Sequence, residues 1–142
     1  MAFQSDEPGV LATWSYTMDE WKAFVNWKKR RTGFFSYLLH FMDMRKNDHI
    51  PTVIISKEHI TIEGKQESFF SRERHLRRVN IKEAGAYNIM EMMYENRSTS
   101  EGLIHEIYVP VPKGKLKEAI WIQEELLKEV NTRESFSDLL RK

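Results

Sequence analysis

The chain contains no cysteine. That absence removes disulfide scaffolds, thiol nucleophiles and every Cys-based zinc or iron–sulfur site. Charge of one sign is also missing: Lys plus Arg is 22 and Asp plus Glu is 21, a net charge of +1. Such a balance exerts no global pull on a polyanion. Exposed stacking aromatics are not identifiable either, so nucleic acid is not an expected partner. Long apolar runs are lacking too. The longest apolar-rich stretch, Phe34–Met44, falls short of the ~20 residues a bilayer-spanning helix needs. Residues 1–9 hold Asp6 and Glu7 with no apolar core, unlike a secretory signal. The expected location is therefore cytoplasmic, peripheral to a membrane at most. The Asn96-Arg97-Ser98 sequon then reads as a chance match. Internal repeats and low-complexity segments are not seen.

What is present suits one folded unit. The chain has 142 residues, 41% apolar and 30% charged, the size and composition of a single domain with its own core. Residues 1–10 read as a loose leader, 11–130 as the core and 131–142 as a polar tail with at most one turn at Phe136–Leu140. Leu11–Thr17 is rich in strand formers. Thr17 with Glu20 three residues on forms a capping-box pattern. The helix it predicts carries Met18, Trp21, Phe24 and Val25 on one stripe and ends in Lys28-Lys29-Arg30-Arg31, where cations suit the macrodipole. Phe34–Met44 predicts a second short helix.

From Pro51 the period changes to two. Six strands are predicted: Thr52–Ser56, Ile60–Glu63, Glu67–Ser71, Leu76–Ile81, Tyr87–Glu95 and Leu103–Val109, with turns at Gly64-Lys65 and Ala84-Gly85-Ala86. Pro110-Val111-Pro112 is expected to stop the sheet. Gly114–Val130 predicts the clearest helix, with a stripe of Leu116, Ala119, Ile120, Gln123, Leu126, Leu127 and Val130. The fold class is thus α+β. The expectation is a bent antiparallel sheet or partly open barrel of about seven strands, a helical segment inserted after strand 1, and a long C-terminal helix closing the oily side.

Constellations that carry catalysis are missing from the sequence. His40, His49, His59, His75 and His105 form no H-E-x-x-H and no close ligand pair. His105 alternates with apolar strand residues and reads as a packed histidine. The Gly-Lys pairs at 64–65 and 114–115 lack the rest of a phosphate loop, and G-x-G-x-x-G and G-x-S-x-G do not occur. Strand carboxylates such as Glu58, Glu63, Glu91, Glu95 and Glu106 read as solvated, with Glu91 and Glu106 within cross-strand reach of Arg77 or Arg78. No metal, cofactor or enzymatic activity is expected. Two basic clusters stand out. Lys28, Lys29, Arg30 and Arg31 precede Phe34 and Phe35, as in an interfacial segment with cations at lipid headgroups. Arg72, Arg74, Arg77, Arg78 and Lys82 surround His75, and such a group could hold phosphate or an acidic partner. Each also fits a solvated structural surface.

Particular stretches resemble a known family. Tyr16-Thr17-Met18-Asp19-Glu20-Trp21-Lys22-Ala23-Phe24 is similar to the opening strand and helix of bacterial YcxB-like proteins. Ile60-Thr61-Ile62, Phe69-Phe70, Leu76-Arg77-Arg78-Val79, Asn88-Ile89-Met90, Ile107-Tyr108-Val109-Pro110 and the helix with Leu116, Ala119 and Ile120 continue the likeness. The resemblance covers roughly residues 14–130. It implies a domain resembling the pleckstrin homology (PH) fold, a seven-stranded, strongly bent sheet capped by a C-terminal helix. It implies no catalytic residues. Family members carry a membrane-spanning hairpin where this chain has Thr32–Asp48, which is too short and polar to cross twice. The function then expected is a non-catalytic interaction module for a protein or membrane surface. The wide apolar helical surfaces also allow a homodimer. The same element order fits the helix-grip fold of START and Bet v 1-like carriers, in which Met90, Met92 and Met93 would suit a pocket for an apolar small molecule.

Overall fold

A computed structural model describes residues 9–32, 50–98 and 102–141. The second helix expected at Phe34–Met44 lies outside them. In chain order the elements are β1 (Val10–Trp14), α1 (Met18–Thr32), β2 (Val53–Ser56), β3 (His59–Ile62), β4 (Lys65–Ser68), β5 (Arg74–Ala84), β6 (Tyr87–Asn96), β7 (Leu103–Val111) and α2 (Leu116–Arg141). All strand pairs are antiparallel. The expected single curved wall resolves into two sheets among the described residues, β1-β2-β3-β4 and β5-β6-β7. The break falls between β4 and β5. There Phe69 and Phe70, expected inside a strand, follow β4 and turn into the core. Only an isolated bridge, Phe70 to His75, remains at that point.

Local chemistry explains the turns. Glu63 and Gly64 both have positive φ, 52° and 77°, the backbone that a two-residue type I′ hairpin between Ile62 and Lys65 requires. The capping box forms as predicted. The Thr17 amide donates to Glu20 Oε1 at 2.8 Å, and the Glu20 amide donates to Thr17 Oγ1 at 3.2 Å. Pro110 does not stop the sheet: it lies within β7, opposite Ile89. β7 is an edge strand, so the missing N–H costs no ladder bond on its open side. The Pro110 carbonyl instead accepts the Tyr16 hydroxyl at 2.7 Å.

One hydrophobic cluster joins both sheets and both helices, with Trp14, Ile55, Ile60, Phe69, Leu76, Met90, Met92, Ile122 and Leu126 fully buried. On β6, Ile89, Met90, Glu91 and Met92 are all buried, so this central strand is covered on both faces. Trp27 of α1 meets Tyr108 edge-on at 5.2 Å. The register places Tyr108 beside Glu91, so α1 covers that face. Met18, expected on the buried stripe of α1, is exposed.

The C-terminal helix holds the two sheets together. The Trp14 indole on β1 donates to Glu118 at 2.6 Å, and Gln123 Nε2 donates to the Val79 carbonyl on β5 at 2.7 Å. Further along, Arg133 reaches Glu58 at 3.1 Å and Glu134 reaches Arg77 at 3.5 Å. The polar tail expected from Asn131 is a continuation of this helix to Arg141. Its apolar packing ends at Val130. Beyond it the chain is held by Arg133, whose guanidinium lies 4.4 Å over the Phe70 ring. Phe136, Leu139 and Leu140 remain 63%, 70% and 74% exposed.

A second tie joins the sheets elsewhere. The Tyr94 hydroxyl on β6 donates to Glu67 on β4 at 2.9 Å, and Arg74 Nη1 donates to the Ser68 carbonyl at 3.1 Å.

Candidate functional site

The two predicted basic clusters sit on different elements. At the end of α1, Lys28 is half-buried with its ammonium 5.9 Å over the Phe24 ring. Burial pulls its pKa down, and the nearby Glu67 charge partly restores it. Lys29 and Arg30 are exposed at the helix end. Arg31 continues the helix, its side chain outside the described residues, and Phe34 and Phe35 lie outside them altogether.

The second cluster is built by a β-bulge. The pairing of β5 with β6 shifts register between Leu76 and Arg78, so Arg77 is an extra residue. Leu76 and Val79 are both buried while Arg77 and Arg78 between them are both exposed. A regular strand alternates faces, and would turn Arg78 inward if Arg77 pointed outward. The bulge puts both guanidiniums on the wet face. Arg74, expected to join them, instead lies half-buried over the Tyr94 ring at 5.6 Å.

Residues distant in sequence complete this surface. Arg77 donates to Glu95 Oε2 through Nη2 at 2.8 Å and Nε at 3.1 Å. Arg97 donates to Glu95 Oε1 at 3.2 Å. One carboxylate is thus shared by two guanidiniums. The Arg77 hydrogen bonds, joined by those and the charge of Arg97, hold the Glu95 pKa down against desolvation. Neighbouring His75 is pushed down by partial burial, then by Arg97, Arg77 and Arg133, with Glu95 acting against them. The potential at His75 is therefore net positive, and its imidazole favours the neutral form. Arg78 has no carboxylate within ion-pair distance among the described residues. Arg97 and Arg133 were not signalled by the sequence pattern, because the register and the long α2 bring them here.

The strand carboxylates expected to meet Arg77 or Arg78 do otherwise. Glu91 is only 4% exposed and takes Lys82 at 3.0 Å. Glu106 accepts the Tyr108 hydroxyl. The register explains both outcomes, since Arg78 faces Met93 while Glu91 faces Asn80. His105 stacks on Tyr94, with ring centroids 5.1 Å apart. Burial and the bond to Glu67 push the Tyr94 phenol up to about 12, which suits a cross-sheet tie. Among the described residues no three His, Asp or Glu side chains gather as a metal site, and no helix is long and apolar enough to cross a membrane. The chain matches no family model, no curated protein and no solved structure.

Proposed function

We propose that the chain is a non-catalytic, PH-like interaction module, related to YcxB-like proteins but lacking their membrane-spanning hairpin, that binds a protein or membrane surface. Seven antiparallel strands followed by a long helix support the PH-like reading. The observation that carries the function is a run of cations at the surface end of one helix. Lys29 and Arg30 stand exposed at the end of α1, with Lys28 half-buried beside them. Juxtaposed cations of this kind each contribute ~1 kcal/mol at an anionic bilayer.

The carrier reading needs a hollow between the last helix and the sheets. Ala119, Ile122 and Leu126 of α2 are instead fully buried in one cluster with Trp14, Leu76 and Val79, which favours a packed interior. The test is co-sedimentation with phosphatidylserine-containing vesicles. Binding at low salt, its loss at high salt, and a fall of roughly tenfold or more in the double variant Lys29→Glu/Arg30→Glu are expected. No pelleting at low salt sinks the membrane arm of the reading.

A further inference from the structure

The bulged arginine pair on β5 forms a separate surface with a different use. Arg77 and Arg78 share a face through the bulge. Arg97 joins them from the end of β6 through Glu95. Ile104, 56% exposed on β7, is the cross-strand neighbour of Glu95. The surface therefore combines three guanidiniums with one bare aliphatic side chain. Among the described residues, Glu95 and Glu134 pair with Arg77, Glu106 accepts the Tyr108 hydroxyl, and the exposed Glu73 adjoins Arg97, whose amide donates to its carbonyl at 2.7 Å. Glu95 is already shared by two arginines, and Glu106 is engaged by Tyr108.

The contacts within the chain display the chemistry that fits. Arg77 takes a carboxylate through two of its nitrogens, and takes a second one, Glu134, from a helix. That second contact is the loosest of the ion pairs here, at 3.5 Å, and the Glu134 side chain is largely exposed. An incoming carboxylate can replace it without disturbing the apolar packing of α2, which ends at Val130. Arg78 offers a planar fork with no carboxylate within ion-pair distance among the described residues, and such forks favour carboxylates side-on.

We infer that this surface docks an acidic protein segment, in which carboxylates on Arg77, Arg78 and Arg97 flank an aliphatic side chain resting on Ile104. The inference rests on the reading of the chain as an interaction module and names its protein partner by chemistry. It does not depend on the cationic end of α1.

The experiment is a fluorescence-anisotropy titration of the full chain against a labelled dodecapeptide of glutamate interrupted by leucine, at low and at physiological salt. Binding that weakens as salt rises is expected. The variant Arg78→Glu/Arg97→Glu should lose it by at least tenfold, and Lys65→Glu, an exposed change on β4, should leave it within twofold. Both arginines are exposed, so circular dichroism should show an unaltered fold. If the double variant unfolds, Arg78→Ala alone must still weaken binding by threefold or more. Equal affinity of wild type and variant overturns the inference, as does no binding at low salt. Displacement of the peptide by millimolar inorganic phosphate would overturn it in favour of a phosphate site. Vesicle binding that is lost in Arg78→Glu/Arg97→Glu, with no peptide binding, would assign the surface to lipid and also overturn it. Loss of vesicle binding only in Lys29→Glu/Arg30→Glu tests the previous proposal and leaves this one intact.

Discussion

Removing the Glu20 carboxylate is the sharpest probe of how this fold is fastened. Glu20 is a buried acid that closes two junctions at once. Its Oε1 accepts the Thr17 amide at 2.8 Å at the start of α1, and its Oε2 accepts the Lys113 amide at 2.6 Å in the turn before α2. Glu20→Ala removes half of a capping box, at about 1 kcal/mol. It also strips the Lys113 N–H of its acceptor, at about 1–3 kcal/mol. The combined loss is about 2–4 kcal/mol, a fall in Tm of roughly 6–15 °C for a chain of this size. Glu20→Gln keeps the shape and one oxygen but turns an amide nitrogen toward an N–H donor, so it should cost about half as much. The acid limb provides an independent check. Burial alone would raise the Glu20 pKa, but the bonds from Thr17 and Lys113, with the Lys113 charge, lower it below the ordinary 4.5. A carboxyl lowered on folding stabilises the protein above the unfolded pKa, and that stability is lost as pH falls through the folded value. Urea unfolding of wild type followed from pH 7 to pH 3 should therefore show a steeper loss than Glu20→Gln, which keeps only the share of other lowered carboxyls such as Glu95. Equal stability of Glu20→Ala and wild type at pH 7, or parallel acid limbs for Glu20→Gln and wild type, would refute the two-junction account.

Further substitutions read other fastenings. Tyr94→Phe removes the hydroxyl that ties β6 to β4. It should cost about 1.5–3 kcal/mol in urea unfolding, the range for a bond to a charged acceptor, and ultraviolet titration should lose the phenol that burial and Glu67 push up to about 12. Leu126→Ala, in the fully buried half of α2, should cost about 2–5 kcal/mol. Leu139→Ala, at 70% exposure, should change stability by less than ~0.5 kcal/mol. Similar losses at the two sites would mean the helix end is packed. Gln123→Leu leaves the Val79 carbonyl on β5 without its donor. A loss of about 1–2 kcal/mol is expected, with greater aggregation on heating as the strand edge is uncovered. Light scattering during the melt checks the second outcome.

Much of this architecture is written in local pattern. The capping box at Thr17 and Glu20, the hairpin glycines at 64 and 85, and the number and order of the strands are short-range features that local residue chemistry signals. Less legible is whatever depends on distant partners. Glu67–Ser71 reads as a strand because Phe69-Phe70 favours one. In the fold β4 ends at Ser68, and both rings serve the core as the chain crosses between sheets. The stop expected at Pro110 assumes a central strand, and the strand is an edge. Residues 131–141 carry no stripe that matches a neighbouring sheet, so the pattern suggests a tail. Their helix is held by Arg133 against Phe70 and Glu58, contacts made across 63 and 75 residues of sequence.

The arginine surface shows why a candidate site can be half visible. Leu76-Arg77-Arg78-Val79 lies in a strand, and strict strand alternation sends one arginine inward. A buried, unpaired guanidinium would be costly enough to oppose that register. Inserting one unpaired residue resolves the conflict. Leu76 and Val79 both keep their places in the core, and both charges reach water. The bulge is thus a consequence of two core positions, Leu76 and Val79, separated by two residues instead of one. It requires no ligand to exist, but it leaves two guanidinium forks side by side on one face. Arg97 then arrives by register alone, since the β6 end at Asn96 sets where the chain leaves the sheet. The composition of the patch is therefore local and its convergence is topological. Substitution of Arg78 separates the two, because it removes a charge while the bulge, still required by Leu76 and Val79, stays.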